Sequence, residues 1–332
     1  MSNKIKAVVC GVNFGSFYIK AIEQSSKLAL CGILSKGSDK SRKISEEYHI
    51  PLYTDADEIN DADVVIMATR SMITGGRSSS AIKKFLKKGI PVLQEQPVHH
   101  LEVKDMLSAA ENNVKYAVND FYRYLPSVSE FLSYAEKLRK SRKLLRFRLS
   151  CTSQVLYPLI DILYSAAGKA DSFNAEKVSS GAMSVITGEI NGIPYVLDYY
   201  NEYTENIDSS LALFFDMKID TDSGNLILTD PVGDVLWQPH LSCFRDTDSD
   251  DERYDLNVPI KRLFSGDISN YSELYSKVWP QAMEKSIFDF INAETAELKT
   301  RILRQCEMCS IVTQAAGAPV KIETPYIDTF TF

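Results

Sequence analysis

The chain has 332 residues, 45% of them hydrophobic and 24% charged, with 37 Lys and Arg against 44 Asp and Glu for a net charge of -7. That length exceeds one typical domain and suits two, each able to bury its own core. The acidic balance speaks against a generic nucleic-acid binder. No run of about 18 apolar residues is present to span a bilayer, and the opening MSNKIKAVVCGVNFG runs into a strand without a signal-peptide pattern, so a cytoplasmic protein is expected.

In chain order, Ala7 to Cys10 reads as a buried strand, Gly15 to Gln24 as a helix and Leu28 to Leu34 as a second strand, a βαβ unit at the very start. Ser38 to Tyr48 is a polar helix that Ser38 can cap, followed by a strand near Pro51 to Tyr53. Val64 to Ala68 is an unbroken apolar run that stops at Thr69, Arg70 and Ser71, as expected of a parallel strand covered on both faces. After Gly75 and Gly76 a helix begins near Ser78 and ends at Gly89, and Pro91 to Gln94 is the next strand. Its carboxyl end delivers Glu95, Gln96, Pro97, His99 and His100 to the edge that already holds Thr69, Arg70 and Ser71, and ligands of open α/β sheets bind at such edges. A helix over Glu102 to Asn112 and a strand over Lys115 to Asn119 complete an N-terminal Rossmann-type, doubly wound sheet.

Beyond the long helix Pro126 to Lys140 the pattern changes. Leu144 to Thr152, Ala182 to Glu189, Tyr195 to Tyr203, Leu211 to Met217 and Asn225 to Leu228 read as strands of an open, mostly antiparallel sheet, with an amphipathic helix at Tyr157 to Ala167 and a long helical pattern at Trp279 to Arg304 that should pack on the sheet. The expected fold class is therefore α/β, a Rossmann domain over residues 1–122 followed by an α+β domain over 123–332 for substrate and dimerisation, with the tail from Ala318 wrapping back over a domain. A sheet rich in Tyr195, Tyr199, Leu211, Leu213 and Phe215 would leave an apolar face uncovered, which predicts a homodimer through it.

Six cysteines, at 10, 31, 151, 243, 306 and 309, fit buried thiols rather than disulfides. Cys306-x-x-Cys309 has no second ligand pair, and the acidic run Asp246 to Arg253 lacks the glycine and closing glutamate of a calcium loop, so no metal is expected.

The first turn, Cys10-Gly11-Val12-Asn13-Phe14-Gly15, is a shortened dinucleotide fingerprint. Gly11 permits the tight turn, Gly15 lets the helix approach the strand, and Asn13 and Phe14 lie between them where free N–H groups meet a diphosphate. The second strand ends without the acid that would accept from a ribose 2'-hydroxyl. In its place come Ser35, Lys36, Gly37, Ser38, Ser41 and Arg42, hydroxyls and cations at a helix N-terminus that suit a 2'-phosphate, so NADP is expected over NAD. Thr69, Arg70, Ser71, Glu95 and Gln96 complete the expected cofactor-binding set.

The loop TRSMITGG and the turn EQPVH, together with CGVNFGSFY and LSKGSDKSR, resemble the corresponding segments of the thiazolinyl imide reductases of siderophore assembly, within the wider Gfo/Idh/MocA oxidoreductase fold. The likeness covers roughly residues 4 to 125. It implies a Rossmann domain followed by an open antiparallel sheet, and NADPH-dependent reduction of a thiazoline C=N on an intermediate tethered to a carrier domain of a nonribosomal peptide synthetase. Sugar dehydrogenases of the wider fold usually carry E-K-P, whose lysine acts on the substrate hydroxyl; here the middle position is Gln96, which neither supplies nor takes a proton. Gln96 also replaces the first histidine of the reductases' EHPLH, whose second histidine matches His99. The expected catalytic residues are His99, since a histidine pKa of about 6.5 suits proton donation near neutrality, and Tyr122 and Tyr124 after the sixth strand. His99 could alternatively cap the helix that follows it. A sugar or cyclitol dehydrogenase and a non-catalytic NADP-binding regulator are the competing readings.

Overall fold

A computed structural model describes residues 4–323 except 72–75, 77, 111–112, 180–182, 204–213, 241–259 and 269. In chain order the elements are β1 (Ile5–Cys10), α1 (Gly15–Gln24), β2 (Leu28–Leu34), α2 (Asp39–Glu47), β3 (Leu52–Tyr53), β4 (Val64–Met67), α3 (Ser78–Lys87), β5 (Val92–Glu95), α4 (His100–Ala109) and β6 (Tyr116–Asn119). Then come α5 (Pro126–Ser141), β7 (Leu144–Thr152), α6 (Leu156–Ala166), β8 (Glu176–Ser179), β9 (Met183–Ile190), β10 (Ile193–Tyr200), β11 (Glu202–Tyr203), β12 (Phe215–Thr221), β13 (Gly224–Leu228), β14 (Val235–Pro239) and β15 (Lys261–Phe264). The single turn α7 (Tyr271–Glu273), α8 (Trp279–Asn292), α9 (Thr295–Ala316) and β16 (Val320–Lys321) close the described chain.

Two compact units emerge, one from residues 1–125 with 268–310, the other from 126–267 with 311–332. In the first, six parallel strands run in the order β3-β2-β1-β4-β5-β6, the doubly wound arrangement whose direction of winding reverses between β1 and β4. Val8, Val9 and Cys10 of β1 and all of β4 are at most 1% exposed, because a parallel strand flanked by helices buries both of its faces. The expectation of a second domain over all of 123–332 is corrected in one respect: residues 268–310 return to the Rossmann unit. The helical pattern Trp279 to Arg304, expected on the antiparallel sheet, is two helices separated at Ala293, which is extended (φ -63°, ψ 148°). The first of them, α8, packs on α1 through Trp279, whose ring lies 5.2 Å from Phe17, 6.0 Å from Phe14 and 5.1 Å from Phe121. Aromatic rings carry most buried area per side chain, so this cluster outweighs the amphipathic stripe that pointed to the sheet.

In the second unit, eight strands run β15-β14-β13-β12-β7-β10-β9-β8, antiparallel except for the β7–β10 pair. Strands β8, β14 and β15 were not expected from the sequence; Glu176 and Lys177, or Gln238 and Pro239, give them little apolar alternation. Helices α5 and α6 cover one face. The premise of an uncovered apolar face is corrected: Tyr195, Tyr199 and Phe215 are each 1% exposed, on the side that alternation turns inward. The opposite side carries Arg146 and Arg148, both bonded to Asp220, with Lys218, Ser150 and Asp216 beside them. Leu211, Leu213, Cys243 and the run Asp246 to Arg253 lie outside the described residues.

The start of the tail stays in its own unit, where β16 pairs in parallel with β11 and Asn201 donates to the carbonyl of Gly317 at 3.1 Å. Among the described residues no helix is long and apolar enough to cross a membrane, and no group of three or more His, Cys, Asp or Glu could hold a metal.

Candidate active site

The switch point between β1 and β4 places two loops side by side. Gly11 has φ +87°, and a Cβ there would meet Thr69 Cγ2 at 2.8 Å and the Ala68 carbonyl oxygen at 3.1 Å, so the first turn requires glycine both for its backbone and for its closeness to the end of β4. A Cβ on Gly15 would meet Val9 Cγ1 at 2.9 Å, which is why α1 can begin so near β1. No side chain caps α1, and Asn13 is exposed beside it. A helix N-terminus left open after a glycine turn fits the diphosphate of a dinucleotide.

At the end of β2 the structure sorts the expected phosphate residues into two kinds. Ser38 is the N-cap of α2, its Oγ accepting from the N–H of Ser41. Ser41 is fully buried, and its hydroxyl donates to the Ser38 carbonyl at 2.7 Å, so it holds the turn together rather than facing a ligand. Lys36 is exposed, Gly37 adopts φ +82° in open space, and Arg42 is exposed with only a 3.9 Å approach to Asp39. These cations remain available to an anion at the N-terminus of α2.

The carboxyl ends of β4, β5 and β6 form the other half. Parallel register aligns Met67 with Gln94 and Glu95 with Asn119. Thr69 Oγ1 donates to Met67 Sδ at 3.1 Å, Arg70 is exposed, and Ser71 ties the loop after β4 to the next one by donating to the Pro97 carbonyl at 2.6 Å. The Gln96-Pro97 bond is cis.

Glu95 is 8% exposed, and its Oε2 accepts from the Tyr18 hydroxyl, which in turn accepts from Asn119 Nδ2. Glu95 Oε1 and Gln96 Oε1 are buried without a hydrogen-bond partner. Burial pushes the Glu95 carboxyl up to about 8, against the opposing pull of the Tyr18, Gln96 backbone and Asn119 donors. Unmet buried acceptors are costly, and their position at a ligand edge fits groups that a bound cofactor would satisfy. Tyr18 was missed at the sequence level. Its signal was a phenol three residues after Gly15, on the face of α1 turned to the sheet.

His99 is the N-cap of α4, with Nδ1 accepting from the Leu101 N–H at 3.3 Å. The proton of the neutral ring therefore sits on Nε2, the atom left to donate elsewhere. Its ring lies tilted against that of His100, centroids 4.3 Å apart, and burial together with His99 holds His100 below the usual histidine value. Tyr122 is 6% exposed and stacks on Phe121 at 4.5 Å. Tyr124 donates to Asp289 Oδ2 of α8 at 2.5 Å, and burial drives its phenol well above the ordinary value. The hydrogen bond gives Tyr124 a role in holding α8.

Residues 5–120 match the model of the Gfo/Idh/MocA oxidoreductase family, NAD-binding Rossmann fold. No curated protein matches the chain. Among solved structures the chain is similar to an oxidoreductase from Agrobacterium radiobacter in complex with NAD+, L-tartaric acid and magnesium, at 12% identity and TM-score 0.69, covering 95% of this chain and 96% of that one. It is similar to a 3-ketoreductase from Actinomadura kijaniata in complex with NADP and TDP-benzene, at 15% identity and TM-score 0.64, covering 96% and 100%. It is also similar to myo-inositol 2-dehydrogenase from Lactobacillus plantarum, at 12% identity and TM-score 0.65, covering 95% and 97%. The glycine turn, the switch point and the match to the Gfo/Idh/MocA oxidoreductase family model all fall in one stretch, residues 5–120.

Proposed function

We propose that the protein is an NADPH-dependent reductase of the thiazolinyl imide reductase type, acting on a thiazoline C=N carried by a peptide-synthetase carrier domain. The observation that supports this over alcohol oxidation is the turn Glu95-Gln96-Pro97. Oxidising a hydroxyl needs a group to take its proton, and Gln96 stands where sugar dehydrogenases of this fold carry lysine. Reducing an imine needs instead a proton for nitrogen and a hydride for carbon.

Bound NADPH supplies the hydride. The turn Gly11–Gly15 and the open N-terminus of α1 would take the diphosphate, and Ser35, Lys36, Ser38 and Arg42 the 2'-phosphate. Thr69, Arg70, Ser71, Glu95 and Gln96 would line the nicotinamide half, and His99, as imidazolium, would give a proton to the imine nitrogen and be left as the neutral ring. The carrier domain and a homodimer are the partners of this reading.

A second reading, a sugar or cyclitol dehydrogenase, draws on the similarity to myo-inositol 2-dehydrogenase. One assay separates the two: NADPH oxidation with a soluble thiazoline-carboxylate mimic, run beside NADP+ and NAD+ reduction with a panel of sugars and cyclitols. Turnover of the mimic alone is the expected result. Turnover of a cyclitol alone overturns the proposal, and binding of NADPH with no turnover of either substrate class indicates a regulatory role.

A further inference from the structure

Among the described residues Glu95 is a carboxyl without an ion-pair partner. Its surroundings are Tyr18 from α1, Asn119 from the end of β6, the N–H of Gln96 just after β5 and, beyond Tyr18, the carboxylate of Asp120. Among the described residues no lysine, arginine or histidine makes a hydrogen bond or ion pair with it. Tyr18 satisfies one oxygen, Oε2, while Asn119 donates to the Tyr18 hydroxyl, and Oε1 is buried without a hydrogen-bond partner. A carboxyl in that setting keeps its proton near neutrality, because an ionised oxygen in a low-dielectric site without a partner is expensive.

The place of this carboxyl in the fold gives it a use. A dinucleotide bound across the switch point has its diphosphate at the N-terminus of α1 and its adenosine ribose at the end of β2, which leaves the nicotinamide half over the ends of β4, β5 and β6. Glu95 ends β5, the middle strand of that half. The nicotinamide ring is neutral when reduced and carries a positive charge when oxidised, so the oxidised ring is a cation brought to a carboxyl that has no ion-pair partner among the described residues.

Resting on the proposed nicotinamide-dinucleotide function, we propose that Glu95 is a redox-state sensor for the cofactor, protonated beside the reduced ring and ionised beside the oxidised one. Binding the oxidised cofactor then breaks the carboxyl O–H bond, leaves the electron pair on Glu95 as the counter-charge of the ring, and sends the proton to solvent. Binding the reduced cofactor moves no proton. Below neutrality the site favours the reduced form, the form a reductase must load, and each departing oxidised cofactor returns Glu95 to its protonated state.

The test is proton release in weakly buffered solution at pH 7 with a pH-indicator dye, adding NADP+ or NADPH to the full-length protein. Nearly one proton per bound NADP+ and almost none per NADPH is the expected result, with Glu95→Gln binding both and releasing none. A second measurement covers a variant that fails to fold: in the wild-type protein the affinity for NADP+ should rise about tenfold per pH unit from pH 6 to 8 and then level off, while that for NADPH stays flat. Equal proton release, or the same pH dependence for both forms, overturns the sensor and leaves the cofactor reading standing. Failure to bind either form overturns both.

Discussion

Glu95 ties local chemistry to stability. Its folded-state value of about 8 lies above the ordinary 4.5, so between those two values the folded protein holds a proton that the unfolded chain has released. Stability contributed by the neutral carboxyl is whole below about pH 4.5, declines as pH rises to about 8, and changes no further above it. Glu95→Gln, which is neutral throughout, should therefore raise the melting temperature more at pH 8 than at pH 5; an equal change at both would show that the carboxyl ionises freely. Arg42 gives a second expectation at this scale. It is exposed and held only loosely by Asp39, so Arg42→Ala should leave the fold intact, weaken NADPH about tenfold and leave NADH nearly unchanged, as the loss of a charge-assisted phosphate contact requires. Calorimetric titration of both cofactors checks it. Ser41, by contrast, is buried under Ser38, and replacing it should cost stability rather than cofactor discrimination.

Helix α4 shows how an element and a candidate donor share one side chain. His99 closes the first turn of α4 through Nδ1 and thereby leaves Nε2 as the proton-bearing atom. His99→Ala should lose about 1 kcal/mol of stability from the missing cap and, as the loss of a proton donor, about two to four orders of magnitude in turnover with NADPH affinity near wild type. Melting temperature, turnover and binding measured together separate the parts: a lowered melting temperature with full turnover assigns His99 to the helix alone. Helix α8 teaches a related lesson. Its apolar stripe was plain in the sequence, but a stripe does not name the surface that it will meet. Phe14, Phe17 and Phe121 supplied a larger aromatic surface on the Rossmann unit than alternation could reveal.

For the whole molecule, the second unit's sheet changes the physical expectation for self-association. The face opposite the one that holds Tyr195, Tyr199 and Phe215 is charged, with Arg146, Arg148 and Lys218 in rows beside Asp220 and Asp216. A homodimer formed through such a face would be held by ion pairs across a two-fold axis and should weaken with salt, since the Debye length falls from about 10 Å at 0.1 M to about 3 Å at 1 M. Light scattering at micromolar concentration should give a dimer mass at low salt and a fall toward the monomer near 1 M salt. A mass that salt does not change would point to another, apolar surface.

What the sequence determined by itself was whatever repeats at short range. The apolar runs Ala7 to Cys10 and Val64 to Ala68, Gly11 and Gly15 in the first turn, Ser38 before α2 and Gly89 after α3 each follow from local backbone and periodicity, and they suffice for a Rossmann sheet with its ligand edge at Thr69 and Glu95. Only the tertiary structure could bring Tyr18 to Glu95, 77 positions away, or return residues 268–310 to the first unit. It alone turned Tyr195, Tyr199 and Phe215 inward, because strand alternation says that two faces differ and the packing of α5 and α6 decides which of them is covered. The charge state of Glu95 belongs to the same class: glutamate is acidic by composition, and burial without a cation is a property of the assembled site.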